Sequence, residues 1–252
     1  MNSYKKLCTE FYDLDKPRAP EEALTFFLQY AEKANGPILE PMCGSGRFLI
    51  PMLEWGFDVD GSDASSHMLR ACRERCRSKG LNPILYEQFL EHLDLPRQYS
   101  LVIIPAGSFC LITEQSQINE SLKRIYQLML PGARFVLEIE RLMPPPTQTG
   151  QWSGRWVERS DGAKILISRL SHYYEVERVY RSIHRYELIK NGQLLEMEYE
   201  EFNLRLYDPA EFQALLEAHE FKEIKIFKAH QFRAPDEKDQ SIIFECSKHC
   251  TN

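Results

Sequence analysis

The chain has 252 residues, with 31 Lys+Arg against 37 Asp+Glu, a formal net charge of −6, 43% apolar and 27% charged residues. This is an ordinary globular composition, long enough for one large domain or one domain with an insertion, and needing no disulfide or metal staples to build a core. Mild acidity argues against a nucleic-acid backbone as partner, and no apolar run approaches the roughly 18–20 residues of a membrane span.

The opening MNSYKKLCTEFYD has two lysines with no apolar stretch behind them, so it reads as no secretory signal and the expected location is cytoplasmic. The seven cysteines (Cys8, Cys43, Cys72, Cys76, Cys110, Cys246, Cys250) are odd in number and scattered, as reduced thiols would be. Cys72 and Cys76 stand four apart but have no third ligand nearby, and no metal site is expected.

Residues 37–41 predict a strand, 46–55 a helix, 57–62 a strand and 65–79 an amphipathic helix carrying Met68, Leu69, Cys72 and Cys76 on one face. Strands follow at 83–86 and 100–104. A long helix over 113–130 is then expected, with Thr113 as its cap and Pro131-Gly132 as its stop, and after it a strand over 133–140. Strand and helix in regular alternation predict an α/β fold: a parallel sheet with helices on both faces.

The pattern breaks at the Pro- and Gly-rich stretch 143–154. From 155 to 207 no helical period appears. The β-rich runs 164–170, 175–189 and 194–207 are bounded by turn signals at Ser160-Asp161-Gly162-Ala163 and Asn191-Gly192, which predicts an antiparallel sheet of three or four strands. Asp208-Pro209-Ala210-Glu211 then opens a helix over 209–219 with a capping box, and strands over 222–232 and 240–248 should close the fold as an antiparallel hairpin.

The chemically informative segment is Glu40-Pro41-Met42-Cys43-Gly44-Ser45-Gly46-Arg47, which joins the first strand to the first helix of this series. Glycines there let the backbone approach a ligand closely. A dinucleotide fingerprint needs a third glycine where Leu49 stands, so a nicotinamide-dependent oxidoreductase is the weaker reading. Glu40 ends the strand just before the loop; its carboxylate repels a pyrophosphate but suits a cationic amine. Asp63 ends the next strand, where an acidic side chain accepts both hydroxyls of an unphosphorylated ribose.

With ILEPMCGSGRFLIPMLEWGFDVDGSDASSHML over 38–69, the sequence resembles the class I S-adenosylmethionine-dependent methyltransferases. The resemblance extends roughly over 10–140 and 208–248. It implies a Rossmann-like seven-stranded sheet with an antiparallel last strand, S-adenosylmethionine as cofactor, and a small-molecule acceptor. Carried over residue by residue, Met42, Cys43, Gly44, Ser45 and Gly46 would hold the methionyl part beside Glu40, and Asp63 the ribose. Ala64 and Met68 would lie against the adenine, with Gln88, Phe89 and Leu90 on its other face. Many relatives have an acidic residue at the position of Phe89, so Gln88, Glu91 or the backbone would read the adenine amino group. Pro105 to Phe109 would line the transfer site. Phe11-Tyr12-Asp13 resembles the Tyr-Asp element of small-molecule methyltransferases, with Tyr12 closing on the carboxylate side; the alternative is an aromatic anchor for the N-terminal segment.

The inserted sheet resembles that of a subset which includes amino-sugar N-methyltransferases and implies a roof on the acceptor site. Those enzymes carry a catalytic histidine after the fourth strand. Gly107–Ile112 holds none, so the catalytic residue is left unassigned. The expected organisation is a cofactor-binding core of 1–140 and 208–252, with 141–207 as the inserted lid.

In strand 175–189, Val179, Arg181, Ile183, Arg185 and Glu187 share one face; Tyr180, Ser182, His184, Tyr186 and Leu188 share the other. Arg181 and Arg185 are candidates for an acidic group on the substrate, against cross-strand pairing with Glu196, Glu198, Glu200 and Glu201. Trp152 and Trp156 are candidate walls of an acceptor pocket, against a cap on the sheet edge. Direct methyl transfer needs no metal and no nucleophilic triad. A non-catalytic cofactor-binding regulator on the same fold, and a homodimer through the antiparallel sheet, stay open as alternatives.

Overall fold

The computed structural model describes residues 4–143 and 150–249. Prolines 144–146 of the Pro-rich stretch and Cys250 lie outside the described residues. Two helices precede the first strand, α1 (Lys6–Asp15) and α2 (Glu21–Ala31). Then come β1 (Ile38–Pro41), α3 (Leu49–Glu54), β2 (Val59–Asp63), α4 (Ser66–Ser78), β3 (Leu85–Glu87), β4 (Tyr99–Ile104), α5 (Gln115–Leu128) and β5 (Met129–Glu140). The second half holds β6 (Trp152–Glu158), β7 (Lys164–Tyr174), β8 (Val179–Lys190), β9 (Gln193–Arg205), α6 (Pro209–Ala218), β10 (Lys222–Lys228) and β11 (Ser241–Ser247).

Seven strands form one sheet in the order β10-β11-β5-β4-β1-β2-β3. Strands β1 to β5 run parallel; β11 is antiparallel to both β5 and β10, the hairpin expected from the short connection. This is a Rossmann-like, mostly parallel α/β sheet with an antiparallel last strand, as expected, and the chain reverses its winding beside β1, where ligands sit in open α/β sheets. Apolar strands with both faces covered make its core. Leu39, Val102, Ile104, Leu137 and Ile139 pack toward α5 and α6, and Ile38, Leu101, Ile103 and Val136 toward α2, α3 and α4.

The helix α5 starts at Gln115 after Glu114, so Thr113 is not its cap; β5 begins at Met129, and Pro131-Gly132 lie inside that strand. Asp208 caps α6 by accepting from the N–H groups of Ala210 and Glu211, while the Glu211 carboxylate pairs with Arg178 and Arg205 instead of closing the box. The helix α2 answers to no expectation above, although Phe26, Phe27 and Tyr30 fill the space under the sheet.

The second sheet has four antiparallel strands in the order β6-β7-β8-β9. Asn191 and Gly192 have φ of +51° and +76°, the double left-handed conformation of a tight hairpin turn between β8 and β9. The run 175–189 is not one strand, because a turn occupies 175–178 and β8 starts at Val179.

The inner face of this sheet packs on α1. Leu7, Cys8 and Phe11 meet Ala163, Ile165, Ile167, Tyr186 and Leu188 in a separate small core. Glu198 accepts from the Leu7 N–H at 2.8 Å, and Glu200 accepts from the N–H groups of Tyr4 at 2.9 Å and Lys5 at 2.6 Å. These carboxylates thus satisfy amides at the start of α1 that its own turns leave free.

The register corrects the expected pairing of Arg181 and Arg185. They stand opposite Asn203 and Tyr199, on the face turned away from α1, whereas Glu196, Glu198 and Glu200 stand opposite Leu188, Tyr186 and His184 on the inner face; of the four glutamates, Glu201 alone, opposite Ile183, shares the arginine face. Alternation along a strand puts the two rows on opposite sides. Arg181 pairs with Glu177 and Arg185 with Glu187.

Candidate functional site

A cavity of about 1140 Å³, counting its open mouth, lies beyond the C-terminal ends of β1, β2 and β4. It is lined by Tyr4, Tyr12, Glu40, Met42, Cys43, Gly44, Arg47, Phe48, Asp63, Ala64, Ser65, Met68, Gln88, Phe89, Leu90, Glu91, Pro105, Ala106, Ser108, Leu111, Ile112 and Gln117.

The loop between β1 and α3 makes one wall. Met42, Gly44 and Gly46 have φ of +57°, +55° and +84°. At Gly46 a Cβ would lie 2.7 Å from the Cys72 sulfur and 3.0 Å from Ile50, so glycine there also lets the loop seat on α4. Asp63 ties the loop down: one carboxylate oxygen accepts from the Gly44 N–H at 2.9 Å and the other from the Ser65 N–H at 2.8 Å. A carboxylate has about four lone-pair sites, so two remain for hydroxyls of a ligand. Burial raises the Asp63 pKa, opposed by the amides of Ser65, Gly44 and Ala64.

Glu40 is 2% exposed, and its Oε2 has no hydrogen-bond partner. Burial drives its pKa well above the ordinary carboxylate value, against the Leu49 amide and the Arg47 charge. A buried, unpaired carboxylate oxygen in a cavity wall is costly unless a donor arrives there.

Arg47 is buried beside it, donating from Nη1 to the Tyr12 hydroxyl at 2.8 Å and from Nε to the Arg18 carbonyl at 3.3 Å. Tyr12 therefore sits in the cavity wall with its hydroxyl on a guanidinium, while its own helix is held from both sides. Ser45 donates to Asp13, Arg75 reaches Pro17, Ser45 and Asp13, and Arg155 pairs with Asp15. Ser65 donates to the Tyr4 carbonyl at 2.6 Å, so the segment before α1 closes over the end of β2.

On the far wall, the Gln88 side chain is engaged with the backbone of Asp94, and Glu91 accepts from Gln117 at 2.8 Å. At the floor, Ala106 has φ +58° and its N–H donates to Glu138 at 2.9 Å.

Of the residues singled out from sequence, Tyr12, Glu40, Met42, Cys43, Gly44, Asp63, Ala64, Met68, Gln88, Phe89, Leu90 and Pro105 line this cavity. Ser45 and Gly46 lie behind the loop and shape it. Phe109 does not line it. Its ring is fully buried among Tyr207 and Phe212, because the turn over Ser108–Leu111 points Ser108 and Leu111 at the cavity and Phe109 at the core.

Nor do Trp152, Trp156, Arg181 and Arg185 line it. All four share the outer face of the second sheet, where Trp152 and Trp156 are 54% and 53% exposed, with Arg185 over Trp152 and Lys164 over Trp156. Glu91, and Ala106 and Ser108 of the expected 105–109 stretch, also line the cavity; Tyr4, Arg47, Phe48, Ser65, Leu111, Ile112 and Gln117 complete the lining and were assigned no role from sequence. Arg47 was visible beside Gly46, and Ser65 stands where a cap for α4 belongs, accepting from the Met68 N–H; nothing local marks Tyr4. Among the described residues there is no cluster of metal-ligating side chains, and no helix is long and apolar enough to cross a membrane.

Residues 38–132 match the family described as methyltransferase domain. The Bacillus subtilis (strain 168) protein YqeM is 26% identical over 130 residues, 51% of this chain and 52% of that protein. The chain spans about half the length of the curated relatives it matches. Among solved structures, an S-adenosylmethionine-dependent methyltransferase from Clostridium acetobutylicum ATCC 824 superposes with a TM-score of 0.78 at 15% identity, covering 97% of this chain and 98% of that one. The sugar N-methyltransferase KedS8 from Streptoalloteichus superposes with a TM-score of 0.74 at 16% identity, covering 99% and 97%.

Proposed function

We infer, from a chain whose residues 38–132 belong to the methyltransferase domain family and whose sheet has the class I methyltransferase order, that it transfers a methyl group from S-adenosylmethionine to a small molecule. The observation that carries this reading is that Glu40 and Asp63, at the ends of the adjacent strands β1 and β2, line one cavity. A buried carboxylate oxygen without a donor stands beside a carboxylate that keeps lone pairs free. The first suits the ammonium of a methionyl group and the second suits ribose hydroxyls.

Arg47, held by Tyr12, fits the methionyl carboxylate; Ala64, Met68 and Phe89 fit the faces of the adenine; Glu91 and Gln117, hydrogen-bonded to each other in the lining, suit its polar edge. The cofactor supplies an activated leaving group. The chain's own work is to hold the acceptor in line near Pro105 and Ala106 and to keep water out beneath α1. In this reading 1–140 and 208–252 are the cofactor-binding core and 141–207 is the insertion that seats α1. The six described cysteines are buried free thiols, which fits a reducing cytoplasm.

The test is calorimetric titration with S-adenosylhomocysteine and with NAD. Micromolar binding of the former and much weaker binding of the latter is expected; the reverse order refutes the reading.

A further inference from the structure

The outer face of the second sheet, opposite the one that seats α1, holds side chains that the cavity does not use. The register sets them in rows across β6, β7, β8 and β9. One row is Trp156, Leu166, Glu187 and Met197; the next is Gly154, Ser168, Arg185 and Tyr199; the third is Trp152, Leu170, Ile183 and Glu201. Trp152, Trp156, Ile183, Met197 and Tyr199 are each about half exposed. Aromatic and aliphatic side chains massed in this way mark an interaction surface, whereas a monomer scatters them singly.

Four strands about 4.8 Å apart, over the roughly 26 Å of strand from Lys164 to His172, project about 500 Å², and side-chain relief adds to that. Specific protein interfaces bury about 600–1,000 Å² on each partner, so the face has the size that a stable pair needs. Its charges balance: Lys164, Arg181 and Arg185 share this side of the strands with Glu158, Glu187 and Glu201. An anionic lipid surface or a nucleic-acid backbone selects an excess of positive charge, which this face lacks. Equal numbers of both signs suit a copy of the same face. Shape points the same way. At one end of the middle row, Gly154 leaves a gap between Trp152 and Trp156; at the other, Tyr199 projects a ring between Met197 and Glu201.

We propose that this face binds a second copy of the chain, about a two-fold axis running along the strands between β7 and β8. Such an axis keeps each row in place and exchanges β6 with β9 and β7 with β8. Tyr199 of one copy then enters the gap over Gly154 of the other, Met197 meets Trp156, and Ile183 meets Leu170, each contact made twice. Arg185 and Glu187, an ion pair at 3.4 Å within one chain, lie beside the axis, so the two copies bring together two charges of each sign. The sheets pack aligned, about 10 Å apart, as in a sandwich. Nothing in this contact depends on the cavity or its ligand.

Sedimentation velocity on the full chain at micromolar concentration should give twice the chain mass. Tyr199→Arg should raise the dimer dissociation constant at least tenfold with an unchanged circular dichroism spectrum, and Met197→Arg repeats the test at a second half-exposed position. Val176→Arg, 99% exposed in the turn before β8, should leave the dimer intact. Ser168→Cys, beside the axis, should be joined to its copy by a short bismaleimide. Glu158→Cys, on the edge strand β6, should not, because the axis carries its copy to the β9 side. The parent, whose six described cysteines are buried, is the control for linking. A monomeric parent, a dimer that survives both arginine variants, or linking through Glu158→Cys and not through Ser168→Cys overturns the proposal.

Discussion

Glu200→Ala should loosen cofactor binding from a position outside the cavity lining. Glu200 is buried on the inner face of β9 and accepts from the N–H groups of Tyr4 and Lys5. Tyr4 lines the cavity, and the helix that follows brings in Tyr12. Hydrogen bonds to a charged group contribute roughly 1.5–3 kcal/mol each. Removing the carboxylate also relieves its own desolvation, which raises the Glu200 pKa in the folded chain, so the net loss to the docking of α1 is about 2 kcal/mol. If that loss leaves α1 mostly undocked before ligand binds, the apparent affinity for S-adenosylhomocysteine falls up to about thirtyfold. Calorimetry gives the Kd, and hydrogen exchange over 4–16 reports the docking directly. Glu200→Gln keeps one acceptor oxygen and should fall between parent and alanine variant. An unchanged Kd together with unchanged exchange protection of α1 in Glu200→Ala would refute the clasp.

Replacing 150–207 with a short linker should abolish tight S-adenosylhomocysteine binding, since it removes the seat of Leu7, Cys8 and Phe11 as well as Glu198 and Glu200; calorimetry on the deletion variant that returns parental affinity contradicts this. Asp63→Asn should weaken binding tenfold or more, because its NH₂ group meets a backbone N–H where the carboxylate accepted one; a Kd within twofold of the parent locates the ribose elsewhere. Burial keeps Glu40 protonated to higher pH than an ordinary carboxylate, and a ligand ammonium favours the ionised form. Binding should therefore expel up to one proton, and affinity should rise with pH until the raised Glu40 value is passed. Titration in buffers of different ionisation enthalpy checks this, and Glu40→Gln should remove the proton release. Arg47→Met should cost S-adenosylhomocysteine at least tenfold in Kd and 5′-methylthioadenosine, which lacks the amino-acid part, much less; equal losses for both ligands rule out the carboxylate role.

The parallel half of the fold was legible because its signals are local. Apolar runs and amphipathic spacing mark β1 to β5 and the helices between them, and the Gly44-Ser45-Gly46 loop with Asp63 marks one end of the sheet. The second sheet was legible as strands, since Asn191-Gly192 fixes a hairpin whatever lies around it. Which face turns inward was not. Glu196, Glu198 and Glu200 read as solvent-facing partners for arginines, yet they turn to α1, and two of them are paid for by its free amides. Contacts across more than 190 residues leave no trace in spacing. Phe109 illustrates a smaller limit: within a tight turn the residue facing the ligand and the one facing the core are neighbours, and only the backbone geometry assigns them.

The distance along the chain between Tyr4 and Glu200 has a consequence for biosynthesis. At roughly 5–20 residues per second, the 196 residues between them take on the order of 10–40 s to be made. Once residue 140 has emerged β1 to β5 can form and pair, while Leu7, Cys8 and Phe11 still lack the apolar face of the second sheet that covers them. The nascent chain carries a half-built crevice with α1 undocked, and α1 cannot be clasped until β9 leaves the ribosome. A ribosome stalled after Glu140 is expected to present 4–16 as the most protease-sensitive part of an otherwise forming domain.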